Sequence, residues 1–284
     1  MLPLCCVATK RHTAAKRIEV CSEFVGLSFL AIVIVSNLSR LQRCWLRVVL
    51  VLCCAAVPVR VIWAQSGGYV FTTICPNPPG VPGVGCEAYG INNNGQIVGK
   101  ESGVPGFLYE GGSLSSVPLA GQGINNTGEI VGDGFLDVAG SLSSVAFPSA
   151  TQTSAVGIND AGEIVGYYRD SSGNYHGLLD VGGNFSSIDF PGAVATYAFG
   201  INASEQIVGY YFDILANGSP HGFLYSAGNF SSINFPSAFG TAPHGINNDG
   251  QISGMWEDIG GGGPQHGFVD TGGTFSSIDF PSAP

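Results

Sequence analysis

The sequence predicts an all-β fold, a β-propeller of five four-stranded blades, and three observations carry that prediction. The tripeptide Gly-Ile-Asn recurs at Gly90, Gly123, Gly157, Gly200 and Gly245, at spacings of 33, 34, 43 and 45 residues, and self-similarity at such a period marks a repeat architecture. Most copies run into a turn of Asn, Asp and Gly (NNNG, NNTG, NDAG, NNDG), residues that supply the left-handed backbone positions of tight hairpins. Within a unit, short apolar runs alternate with such turns every 40–45 residues, as in a propeller blade. The rival is a β-solenoid, whose rungs are shorter and join in parallel.

Each full unit resolves into four strands. The first ends at GIN, as in Thr196–Asn202, and the second is an Ile-Val-Gly run such as Gln206–Tyr211. A Gly-rich hairpin leads to the third, His221–Tyr225, and a second Gly turn to the fourth, Phe230–Pro236. Proline ends that strand because it has no donor for the ladder. The short units shorten only the connection between second and third strands, as in Ile130–Val138, and hairpin tips tolerate such changes. Gly68–Pro76 resembles one more fourth strand placed before the first GIN. The expected arrangement is a five-bladed ring with this spare strand assisting closure; a six-position ring lacking strands is the alternative.

Residues 1–64 differ in kind. Phe24–Ser36 is an apolar run of 13 residues, short of the roughly 20 a spanning helix needs. A second run follows Arg40, Arg43 and Arg47 and ends at VIWAQS. A basic segment, an apolar stretch and a small residue before a polar start describe a secretory signal, with cleavage expected after Ala64. The competing readings are a membrane anchor and a mis-assigned upstream start near Leu41 or Val48. All place the repeat domain, residues 65–284, outside the cytoplasm, extracellular or at the cell surface, with membrane contact only through an uncleaved N-terminal segment.

Charge is partitioned as sharply. Eight of the ten Lys and Arg precede residue 67, leaving Lys100 and Arg169 against 18 acidic residues, a formal charge of −16. Such a charge excludes nucleic acid and anionic lipid as natural partners; it suits cations, neutral glycans or basic proteins. Six of eight cysteines also lie in the first part. The two that remain, Cys75 and Cys86, flank a Pro/Gly loop and are expected to form a disulfide in an exported domain, contributing about 2–3 kcal/mol in the chain-entropy account.

The motif GIN-x-x-G-[QE]-IVG followed by His-Gly-Phe-Leu resembles the HAF-repeat family of extracellular bacterial proteins, over about residues 68–284. In this chain Gly177, Gly222 and Gly267 replace the family's Ala, the His stands only at His176, His221 and His266, and Pro105 and Asp133 take or approach its place in the short units. The resemblance implies an exported repeat protein and supplies no catalytic residues.

Candidate chemistry is sparse. His176, His221 and His266 are candidate metal ligands, but equivalent positions spread around a propeller, which favours a hairpin-orienting role. Asp170, Asp213 and Asp258 are weak calcium candidates; the turns lack the alternating ligands of a calcium loop, and Asx-turns explain these aspartates. No other cofactor is called for. An enzyme needs asymmetric polar groups such as a carboxylate pair, and no repeat-wide carboxylate exists: Asp189 and Asp279 are matched by Asn234 and Ala146. The aromatic pairs Tyr167-Tyr168 and Tyr210-Tyr211, with Trp256, are candidate sugar-stacking groups; adjacent strand residues face opposite sides, and inter-blade packing is the competing role. The sequence therefore points to a non-catalytic binding or surface-interaction module for a glycan or protein ligand. The alternatives are a polysaccharide hydrolase or lyase and a structural envelope protein.

Overall fold

The computed structural model describes residues 69–74, 86–101, 104–213, 218–258 and 265–279, together with short strands at 6–10, 18–21, 32–35 and 61–62. It contains five four-stranded antiparallel sheets, each built from consecutive strands paired in chain order. That pairing excludes a solenoid, and the protein is a five-bladed β-propeller. Blade 3 is typical, with Gln152–Ile158, Ile164–Arg169, Tyr175–Val181 and Asn184–Ile188. Blade 1 begins at Cys86 and blade 5 ends at Ile278, while blade 2 is the shortest, its first strand being Gly123–Ile124 alone.

The repeated residues explain how the blades stack. The valine of each Ile-Val-Gly run points at the next blade: Val98, Val131, Val165 and Val208 are all 0 % exposed. They pack on the isoleucine of the next GIN, as Val165 on Ile201 and Val131 on Ile158. Burying one such side chain contributes about 1.5–3 kcal/mol. The glycine after the valine, or after Ser253 in blade 5, is required for another reason. A Cβ on Gly166 would lie 1.9 Å from the Ser154 carbonyl oxygen, with the same collision at Gly99, Gly132, Gly209 and Gly254. In four blades the facing first strand carries a bulge there, which brings its backbone against the second strand.

A second device ties blade to blade. The asparagine of each GIN donates from Nδ2 to the carbonyl of the next: Asn92 to Asn125 (2.9 Å), Asn125 to Asn159, Asn159 to Asn202 and Asn202 to Asn247 (3.2 Å each). Its Oδ1 accepts from the backbone of its own turn, as Asn159 does from Ala161 and Glu163 (3.0 Å each). One side chain thus caps a hairpin and joins two blades, which satisfies buried polar atoms that would otherwise be costly.

The strand Tyr69–Thr73 is additional to the five blades. Blade 5 keeps its own outer strand, Thr274–Ile278, so the extra strand replaces nothing there. Instead Ile74 packs with Ile97 and Phe107 of blade 1, the place that Ile188 takes against blade 4 and Ile233 against blade 5. Tyr69–Thr73 pairs with Cys6–Lys10 and Val61–Ile62. Among the described residues no Val–Ile packing or asparagine rung joins blade 5 to blade 1, and Ile91 is 50 % exposed where Ile158 is 8 %. No helix of the described residues is long and apolar enough to cross a membrane. The expected cleavage site after Ala64 and the Cys75–Cys86 disulfide lie outside the described residues.

Candidate functional site

Two aromatic arrays occupy opposite faces of the second strands, as alternation along a strand requires. In the first, a phenylalanine from the end of one blade, an aromatic of the next blade's second strand and that blade's histidine form a pile. Phe147 stacks on Tyr168 at 3.7 Å and 5°, and His176 covers the other face at 5.0 Å. Phe190, Tyr211 and His221 repeat this, as do Phe235, Trp256 and His266. Each phenylalanine is held by its backbone N–H, which donates to a threonine hydroxyl of the next blade: Thr153, Thr196 or Thr241. With both ring faces covered, Tyr168, Tyr211 and Trp256 leave the sugar-stacking set and serve as inter-blade packing.

The histidines in these piles are held by carboxylates. His176 places Nδ1 3.0 Å from Asp189 and Nε2 3.4 Å from Asp170; His266 sits likewise between Asp279 (2.6 Å) and Asp258 (3.4 Å). His221 faces Asp213 at 3.8 Å, and Asn234 stands in sequence where the others have the second aspartate. Because each imidazole lies between its partners, the three groups do not converge on a point where an ion could sit, and the described residues contain no group of three or more His, Cys, Asp or Glu fit to hold a metal ion. Asp170 also accepts from the Ser172 and Asn174 backbone N–H groups, an Asx-turn; the Asn174 N–H chiefly holds its carboxyl below the usual range.

These contacts fix a pH response. The hydrogen bond that His266 donates to the Asp279 carboxylate raises the His266 pKa above 6.5. Burial, partly offset by the Ala242 carbonyl, lowers that of His244. The His266 contribution to stability is therefore complete below pH 6.5 and lost as pH rises through its folded pKa, whereas that of His244 is lost as pH falls below 6.5. Histidine NMR titration is expected to show His266 titrating above 6.5 and His244 below; the reverse order would overturn both assignments.

The second array is a cluster of tyrosines at the junction of blades 3, 4 and 5. Tyr197 pairs with Tyr210 across the blade 4 ladder. Its ring centroid lies 5.2 Å from Tyr210, 5.0 Å from Tyr167 and 5.3 Å from Tyr175, the latter two from blade 3. Phe199 and His244 continue the belt into blade 5. All four tyrosines are half-buried, and among the described residues none of their hydroxyls has a hydrogen-bond partner. Burial, aided by Tyr210, Tyr175 and Tyr167, pushes the Tyr197 phenol up to about 12, and burial also raises that of Tyr210. Both remain neutral, able to donate and accept. The cluster is not a repeat feature. The ladder position of Tyr197 and Tyr210 is held by Ser154 and Tyr167 in blade 3, Ala242 and Met255 in blade 5, and Glu87 and Lys100 in blade 1.

A shallow cleft of about 290 Å³ adjoins the cluster through Tyr175 and is bounded by His176, Asp189 and the turn Pro191–Thr196. The Arg169 guanidinium sits over Tyr175, 5.6 Å from the ring centroid. Of the sequence candidates, the structure thus brings together Tyr167 and Tyr210. Sequence reasoning missed Tyr175 and Tyr197, which occur once each rather than per repeat.

No family model and no curated protein matches the chain. Among solved structures it is similar to a six-bladed fungal lectin from Aleuria aurantia, with 12% identity, a TM-score of 0.44 and coverage of 93% of this chain and 95% of that one. It is similar also to the SapL1 lectin in complex with alpha methyl fucoside (9%, TM-score 0.47, coverage 94% and 97%), and to the BP39L lectin from Burkholderia pseudomallei (13%, TM-score 0.40, coverage 92% and 84%).

Proposed function

We propose that the domain is a non-catalytic glycan-binding module, exported by its N-terminal segment in the manner of the HAF-repeat proteins it resembles, and that it binds sugar on Tyr167, Tyr175, Tyr197 and Tyr210. The carrying observation is the group of four half-buried tyrosines whose hydroxyls have no partner among the described residues. Rings supply apolar surface for the C–H face of a sugar, and free hydroxyls supply hydrogen bonds to its OH groups. The same chemistry argues against catalysis. A tyrosine acting as base or nucleophile needs a lowered pKa, whereas those of Tyr197 and Tyr210 are raised. The proposed Cys75–Cys86 disulfide would anchor the front of blade 1, away from this surface in sequence.

The test is a glycan array of the purified protein, run with calcium and again with EDTA, using neutral and acidic oligosaccharides and alpha methyl fucoside. Binding is expected in both conditions. Tyr197→Phe, which removes one hydroxyl and no ring, is expected to weaken it about three- to tenfold, and Tyr197→Ala to weaken it more. A blank array, or Tyr197→Phe binding as well as the parent, would sink this reading.

A further inference from the structure

Resting on that binding surface, we infer that its preferred ligand is an acidic sugar, one bearing a uronic-acid carboxylate, and that Arg169 is the residue that selects it. Arg169 is one of two cations after residue 66, against 18 acidic residues, and it stands beside the tyrosine cluster. Its Nε donates to the Gly173 carbonyl at 3.1 Å, which fixes the guanidinium on the hairpin, and Tyr175 lies beneath it at 5.6 Å.

In so acidic a domain an arginine is expected to find a carboxylate, and Asp170 is its immediate neighbour. That carboxylate is committed elsewhere: to Ser172, to Asn174 and to His176. Among the described residues no carboxylate pairs with Arg169, and the side chain is exposed. Its Nη groups make no hydrogen bond among the described residues, and a guanidinium fork of this kind matches a carboxylate bidentately. A sugar lying on the tyrosines would use their hydroxyls for its own and place its carboxylate on this fork. The wider negative field repels polyanions, but it is screened beyond roughly 8 Å at physiological ionic strength. Short oligosaccharides are therefore the suitable probe.

The experiment compares trigalacturonic acid with its methyl ester, which keeps every ring hydroxyl and removes the charge, by calorimetry on the full-length protein. The acid is expected to bind about 10- to 100-fold more tightly. Arg169→Ala should remove that difference, and Arg169→Lys, which keeps charge and loses the fork, should fall between. Thermal melts of both variants verify folding. Equal binding of acid and ester by the parent, or undiminished acid binding by Arg169→Ala, would overturn the inference. A sulfated galactan trimer that binds in the acid's place would also overturn it, assigning the fork to sulfate. If neutral sugars bind and no acid preference exists, the inference alone fails. If no sugar binds at all, the glycan-binding reading fails with it.

Discussion

Replacing Gly166 with alanine is expected to lower the thermal midpoint by roughly 6–12 °C. The new Cβ would stand 1.9 Å from the Ser154 carbonyl oxygen and 3.2 Å from the Ala155 Cα. Backbone, unlike a flexible side-chain tip, cannot swing aside, so the bulged strand must move and take Ala155, 0 % exposed, with it. Overpacking of this kind costs about 3 kcal/mol, and each kcal/mol is worth about 2–4 °C in a domain of this size. Gly162 is the matched control. It has a φ of +79° and open space around it, so alanine there meets only the left-handed penalty, about 1 kcal/mol. Melts followed by circular dichroism separate the two; equal, small shifts would show that the close approach at Gly166 is not required.

The second large effect is expected from Asn159→Asp, a change of one atom. Asn159 is 5 % exposed, and its Nδ2 donates to the Glu163 carboxylate at 2.5 Å and to the Asn202 carbonyl at 3.2 Å. Aspartate has no donor to give either partner, and it sets a buried negative charge against another carboxylate and a carbonyl oxygen. Loss of a buried charge-assisted network costs about 3–5 kcal/mol. Like charge and burial both raise a carboxyl pKa, so the folded pKa of the new group lies above its unfolded value. The penalty is therefore full above that folded pKa and shrinks as pH falls and the group is protonated. Melts at pH 8 and pH 5 should show the deficit relative to the parent narrowing at the lower pH. A deficit under 1 kcal/mol at pH 8 would show that the rung is dispensable.

The architecture was legible because its determinants repeat. GIN, the Asn/Gly turn and Ile-Val-Gly each meet the same neighbour in successive blades, so periodicity along the chain stands in for contacts across it. The functional surface was hidden for the converse reason. Tyr197 touches Tyr167 and Tyr175 from another blade, and no local pattern announces a meeting of residues that distant in sequence. The histidine pairs show an intermediate case. Asp189 and Asp279 were set aside because the repeat does not keep them at every blade, yet they hold His176 and His266. Alternation along the strand foretold that one residue of each aromatic pair would face away from the other. It did not tell which, because that depends on where the preceding blade's phenylalanine lands.

The asparagine rungs have a consequence for how such a chain changes over generations. Each of blades 2 to 5 offers its predecessor a carbonyl, and each of blades 1 to 4 presents its successor with an amide, always in the same sense along the chain. Excising one whole unit, or duplicating it, joins an amide to a carbonyl of the same kind and orphans neither. Nothing in the rungs counts how many units there are. Copy number is thereby released from the chemistry of the joints, and a single unit such as blade 4 can acquire its own tyrosines while its neighbours keep the joints intact.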